Sequence, residues 1–254
     1  MVTGASAGIG AALARMLAQG GRPVLAVARR EDRLAALAEE ARANKWAPIH
    51  ALVGDVAEQD TSWKIAQAAN DHGGAAWLVN NAGFGYHGAF ETQDPSRLAH
   101  MVRLNCEAVM FLTHALLPQL RASGAGVVLN VASAAAFQPT PYMTVYGASK
   151  AFVLSFSEGL AEEMRGKSIW IGAYCPGPVE TEFGEVSGAR GRIEHVPQVL
   201  SAEDAAREAL AQIASGKVIH VPKPLYRFAS ATVRLLPRAL VRRISARAHW
   251  LENA

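Results

Sequence analysis

Thr3-Gly4-Ala5-Ser6-Ala7-Gly8-Ile9-Gly10 crowds three glycines into seven residues, at the start of a run with helical apolar spacing that extends to Gln19. Such a turn is common by itself, and its position is what carries information. Beyond it the chain alternates. Pro23 to Ala28, Ile49 to Val53, Trp77 to Val79, Val127 to Val131 and Ile169 to Ala173 are short apolar runs, and longer stretches of helical spacing (Arg33 to Ala43, Arg97 to Arg121, Val145 to Arg165) lie between them. Strands that are continuously apolar are buried on both faces, which a parallel sheet covered by helices provides. Right-handed crossovers then predict an α/β fold, a doubly wound, Rossmann-like parallel sheet flanked by helices, with a mixed α+β domain as the alternative.

The 254 residues suit one domain of this size, and a chain half hydrophobic and a fifth charged is not disordered, collagenous or coiled-coil. Cys106 and Cys175 cannot build a disulfide framework and have no partners at zinc spacing, so no metal site is expected and a reducing cytosol is the default. No secretory signal is read at the start, and no run of about eighteen apolar residues spans a bilayer. Only Met1 and Val2 precede Thr3, where a strand of about five residues is expected. The first strand therefore reads as truncated at the N-terminus, with the true start expected upstream.

In this architecture Gly4 and Gly8 let the backbone approach a pyrophosphate and Gly10 lets the helix pack on the sheet, while Ser6 and Ile9 lie in the same turn. The choice between nicotinamide cofactors rests on the end of the second strand. It reads Val27-Ala28-Arg29-Arg30, with Glu31 and Asp32 already inside the next helix. Two guanidinium groups suit a 2′-phosphate, so NADP is expected over NAD, against the plainer reading of two surface arginines. Asp55-Val56 and Asn81-Ala82-Gly83 follow the third and fourth strands, at the edge where open α/β sheets bind ligands. Asp55 is expected to accept from an adenine amino group or to cap a helix.

Tyr146 and Lys150 are four apart on one helix face, Ser133 ends the preceding strand, and Asn105 interrupts an apolar helix. Proton exchange by a phenol near neutrality requires about 4 kcal/mol of relief. An ammonium about 4 Å away at an effective dielectric of about 20 supplies about 4 kcal/mol. Tyr146 is therefore the expected proton donor to a developing alkoxide and Ser133 a second donor to the same oxygen. Lys150 is expected to hold the nicotinamide ribose, and Asn105 to anchor a water leading from Lys150 to solvent.

The glycine turn, Asn80-Asn-Ala-Gly83, Asn105, Ser133, Tyr146-x-x-x-Lys150 and Pro176-Gly-Pro-Val-Glu-Thr181, in that order and spacing, resemble the short-chain dehydrogenase/reductase family, its single-domain branch of about 250 residues. The resemblance runs to about Pro222. It implies a seven-stranded parallel sheet, NAD(P) binding, the Asn–Ser–Tyr–Lys set, and Pro176, Gly177, Val179 and Thr181 flanking the nicotinamide amide. It also implies a homo-oligomer in which helices near Asn105 and Tyr146 pair between subunits.

Glu182 to Leu200, punctuated by Gly184, Gly188, Gly191 and Pro197, has the length of a mobile lid. Phe183, Val186 and Val196 from it, with Phe84, Tyr86, Phe137, Pro139, Tyr142 and Met143, are the expected pocket walls, which suggest an apolar carbonyl or secondary alcohol. A catalytic domain over 1–222 is then followed by a basic amphipathic extension over 223–254. From Leu225 to Ala254 six arginines against Glu252 give about +5 of a net +3, so the body is slightly acidic. No reading motif accompanies the charge, so nucleic acid is not an expected partner. A flap over the substrate, an oligomer contact and weak adsorption to anionic lipid, which would make the protein membrane-peripheral, are the readings of this tail. Against an NADP-dependent oxidoreductase stands one other function, a catalytically silent nucleotide-binding regulator or scaffold.

Overall fold

The computed structural model describes residues 1–188 and 198–251. Gly191, Val196, Pro197 and Glu252 lie outside the described residues. In chain order the strands are β1 (Val2–Thr3), β2 (Val24–Ala28), β3 (Ile49–Val53), β4 (Trp77–Asn80), β5 (Gly126–Val131), β6 (Ile169–Tyr174), β7 (Val179–Glu180), β8 (Leu200–Ser201) and β9 (Ile219–His220). β7 and β8 pair with each other; the rest form one parallel sheet, β3-β2-β1-β4-β5-β6-β9. The helices are α1 (Gly8–Gln19), α2 (Glu31–Ala43), α3 (Gln59–Asp71), α4 (Pro95–Val102), α5 (Ala108–Ala122), α6 (Thr144–Glu163), α7 (Phe183–Ser187), α8 (Ala202–Ser215), α9 (Pro224–Val233) and α10 (Arg238–Leu251). Among the described residues no helix is long and apolar enough to cross a membrane.

Two cores explain the continuous apolar strands of the sheet interior, whereas β3, at the sheet edge, buries only Ile49 and leaves Val53 half exposed. Val24, Ala26 and Ala28 of β2 face a layer made by α1, α2 and α8, whereas Leu25 and Val27 face a layer that includes α3 and α5. β1 has two residues, and pairs Val2 with Ala26 and Val79, and Thr3 with Val27. It thus reaches the C-terminal halves of its neighbours, the ends that carry the site. Met1 continues the pairing, its amino group donating to the Trp77 carbonyl at 2.7 Å and its carbonyl accepting from the Val79 N–H at 2.9 Å.

The single helix expected over Arg97 to Arg121 is divided. α4 starts on Asp94, whose carboxylate accepts from the N–H groups of Ser96 and Arg97, and a π-helical turn over Arg103–Glu107 joins it to α5. α3, α8 and the short β9 were not singled out from sequence.

A buried polar chain fixes α5 and α6 against the sheet. Asn80 Nδ2 donates to Asn130 Oδ1 at 2.8 Å and to Thr113 Oγ1 at 3.1 Å, and Asn130 Nδ2 donates to Ser157 Oγ at 2.9 Å. Buried polar groups stripped of a partner cost about 1–3 kcal/mol each. Asn130→Ala is therefore expected to destabilise the protein by about 2 kcal/mol, lowering the midpoint of thermal unfolding by roughly 4–8 °C for a chain of this length, as read by circular dichroism.

Candidate active site

The strand order reverses between β1 and β4, and there a cavity of about 650 Å³ opens along the C-terminal edge of the sheet. It runs from Arg29 and Arg30, past Gly4 and Gly8, to Ser133, Tyr146 and Lys150, and ends beneath α9. Ser6, Ile9, Asp55, Val56, Asn81, Ala82, Gly83, Pro176, Gly177, Val179 and Thr181 all border it. Gly10 and Asn105 stand behind its wall. Gly10 keeps α1 close to the sheet, since a Cβ there would land on Asn81 Nδ2 and the Gly4 carbonyl.

The residues fit a dinucleotide. Gly4 and Gly8 adopt positive φ, 66° and 52°, and a Cβ on either would come within 2.9 Å of Ala82 Cα or Thr181 Cγ2. No side chain caps α1, so its first N–H groups and its positive dipole end face the cavity, as an anion requires. Thr3 Oγ1 accepts from the N–H groups of Asn81 and Ala82 at 3.0 and 3.1 Å, and Asn81 Nδ2 donates to the Thr3 carbonyl at 2.9 Å. These bonds hold the floor of the crevice flat.

At the other end of the turn Arg30 does more than Arg29. Its Nε and Nη2 donate to Ser6 Oγ at 3.2 and 3.1 Å, and its Nη1 donates to Glu182 at 2.7 Å. Arg29 lies 3.7 Å from Asp55 and is mostly exposed. Asp55 does not cap α3, whose N-cap is Glu58; its carboxylate accepts from the Ala57 N–H at 3.0 Å. Three arginines, with Arg33 3.6 Å from Glu182, face two carboxylates, leaving one positive charge in excess.

Ser133 caps a 3₁₀ turn over Ala134–Phe137, and its hydroxyl bonds Tyr146. Lys150 is buried, donates to the Val131 carbonyl at 2.8 Å and lies 5.9 Å from the centre of the Tyr146 ring. The electrostatics differ from the estimate for an ammonium at about 4 Å. Burial pushes the Tyr146 phenol up to about 12 against the pull of Ser133, and burial lowers Lys150 to about 8. Asn105 is spent on structure: its Oδ1 accepts from the Phe84 N–H, and its Nδ2 donates to the Phe84 carbonyl and to Ser149 Oγ, both at 3.0 Å. Its side chain therefore ties the π turn to the loop after β4.

Of the expected walls, Phe84, Met143, Phe183 and Val186 border the cavity. Phe137 packs instead into the core under α6, with the Arg234 guanidinium 5.6 Å from its ring, and Tyr142, at φ 62°, stacks on His87. Tyr226 and Ser230 of α9 also border it; a flap over the substrate was one reading of this tail, but these two residues were not singled out from sequence.

The family of short chain dehydrogenases matches residues 1–190. The chain belongs to it. The short-chain dehydrogenases/reductases are NAD(P)-dependent oxidoreductases acting on CH–OH groups. A short chain dehydrogenase of Pseudocercospora fijiensis is 37% identical over 187 residues, 72% of this chain but 60% of the fungal protein. A short-chain dehydrogenase of Sphingobium yanoikuyae in complex with NADPH superposes with a TM-score of 0.83 at 30% identity, over 91% of this chain and 90% of that one. A family member from Burkholderia phymatum in complex with NAD gives 0.84 at 25%, over 92% and 90%.

The lowered Lys150 makes a signed prediction for this family member. An unfolded lysine keeps its proton to about 10.5, so between about pH 8 and 10.5 the unfolded chain binds more protons and this residue makes stability rise with pH. The stability of the wild type minus that of Lys150→Met is expected to climb across that window in urea titrations. A flat difference would show that the ammonium is not disfavoured by burial.

Proposed function

We propose that the protein transfers a hydride between NADP(H) and a carbonyl or secondary alcohol of an apolar substrate. The observation that carries this reading is the convergence of Ser133, Tyr146 and Lys150 on one cavity with the glycine turn and Arg30. The nicotinamide supplies or accepts the hydride when bound. Gly4, Ser6, Gly8 and Ile9 would hold the pyrophosphate, and Pro176, Gly177, Val179 and Thr181 would flank the nicotinamide amide. The Arg30 fork, already turned onto Ser6 and backed by Arg33, supports a 2′-phosphate there.

Tyr146 would give its proton to the oxygen of the developing alkoxide, and Ser133 would donate a hydrogen bond to the same oxygen. With the phenol held near 12, Tyr146 is protonated at neutral pH, so carbonyl reduction starts from the correct state. The walls made by Phe84, Met143 and Phe183 favour an apolar substrate. Homo-oligomer formation is supported by Met110 and Phe111 of α5 and Phe152 of α6, exposed at 39, 36 and 40%. These side chains lie on the helices that flank the Asn105 turn.

Tyr146→Phe is expected to lower kcat by about 10²–10⁴ while NADPH binding, followed by fluorescence, is retained. A silent scaffold would show no turnover to lose. Arg30→Ala is expected to raise KM for NADPH about tenfold or more and to leave NADH nearly unchanged in steady-state assays. Equal effects on both cofactors would sink the assignment of NADP.

A further inference from the structure

The C-terminal helices divide their surface between two environments. α9 turns Tyr226 and Ser230 towards the cavity, and its Leu225 and Phe228 are exposed. Leu235, in the turn that follows, is 85% exposed. α10 buries Val241 and Ser245 and leaves Leu240 and Ile244 outside. Arg243 and Arg247, at helical spacing from Leu240 and Ile244, fall on that same exposed side. Arg227 and Arg234 are engaged inwards, on the Val221 carbonyl and near Glu158. Arg238, Arg242, Arg243 and Arg247 have no carboxylate partner among the described residues.

We propose that this hairpin docks on an anionic lipid bilayer and seats the mouth of the cavity there, so that an apolar substrate enters from the lipid. The docking stands by itself; the entry route rests on the oxidoreductase reading. Scattered exposed leucines need no partner, but five large apolar side chains fall within twenty residues, and Arg243 and Arg247 share the exposed side of α10 with Leu240 and Ile244, an amphipathic pattern. A second copy would bring the same cations against it, so self-association on this face is opposed by like charge. A nucleic acid would satisfy the arginines but leave the aliphatic side chains without stacking partners. An anionic bilayer satisfies both at once, with apolar groups in the interface and guanidinium groups at the phosphates. Each arginine near such a surface strengthens partitioning about fivefold.

The test is flotation of the full-length chain with vesicles of phosphatidylcholine, with and without phosphatidylglycerol. Wild type is expected to float at low salt only with phosphatidylglycerol, and to be released by molar salt, where charges are screened within a few ångströms. Arg243→Ala with Arg247→Ala should weaken partitioning about 25-fold, and Leu235→Ser should weaken it also, with both proteins melting like wild type. Turnover of a water-soluble ketone should be unchanged in these variants, while KM for a vesicle-borne ketone rises. No flotation at low salt, or flotation indifferent to the arginines, overturns the docking. So does sedimentation velocity showing a dimer that Leu235→Ser dissolves. Flotation by a protein that turns over no ketone supports the docking and sinks the oxidoreductase reading instead.

Discussion

The structure depends on the clasp between Thr3 and the segment Asn81-Ala82. At that point the strand order reverses, and two C-terminal strand ends with helices leaving on opposite faces would otherwise splay apart. One threonine hydroxyl accepts two N–H groups, and the Asn81 amide returns a bond to the Thr3 carbonyl, so backbone groups freed by the reversal are satisfied within the chain. Gly4 can follow only because it has no Cβ to meet Ala82, and Gly10 only because it has none to meet Asn81.

The same edge sets the electrostatics of the reacting groups. Tyr146 and Lys150 are both buried, and burial penalises each charged form: the phenol moves up to about 12 and the ammonium down to about 8. Coulomb attraction at an effective dielectric of about 20 had suggested that one lysine suffices to acidify one tyrosine. That arithmetic omits the cost of taking both groups out of water, which here is the larger effect. The Ser133 hydrogen bond pulls the phenol down, and the Lys150 ammonium donates to the Val131 carbonyl 5.9 Å from the centre of the ring.

What was legible in the sequence was whatever one segment encodes by itself. The glycine turn, the buried strands and the helix carrying Tyr146 and Lys150 each follow from local pattern, and the structure places their boundaries within one or two residues. What was illegible depends on distant partners. The π turn at Asn105 exists where that amide reaches Phe84 and Ser149, a contact no helical period announces. Phe137 and Tyr142 read as pocket walls because they are aromatic and near Ser133, yet a 3₁₀ turn and a positive φ direct them elsewhere. Arg234 counted with the other arginines of the tail by composition, but it caps α9 3.7 Å from Glu158, while Arg238 and Arg242 belong to α10. Arg29 and Arg30 were equal by composition; only the fold shows that Arg30 reaches Ser6.

The boundary expected at Pro222 has a similar lesson. A tail of arginines and leucines breaks in composition from the body, and a flap over the substrate was one of its readings. In the structure Tyr226 lies over Gly177, so close that a Cβ on that glycine would come within 2.6 Å of the ring. Gly177 belongs to the stretch proposed to flank the nicotinamide, and Ser230 borders the same cavity one helical turn further on. A site wall taken from α9 makes the tail's position and the site's shape one variable. The extension is therefore part of the pocket's geometry, and its outer surface is where the surroundings can act on it.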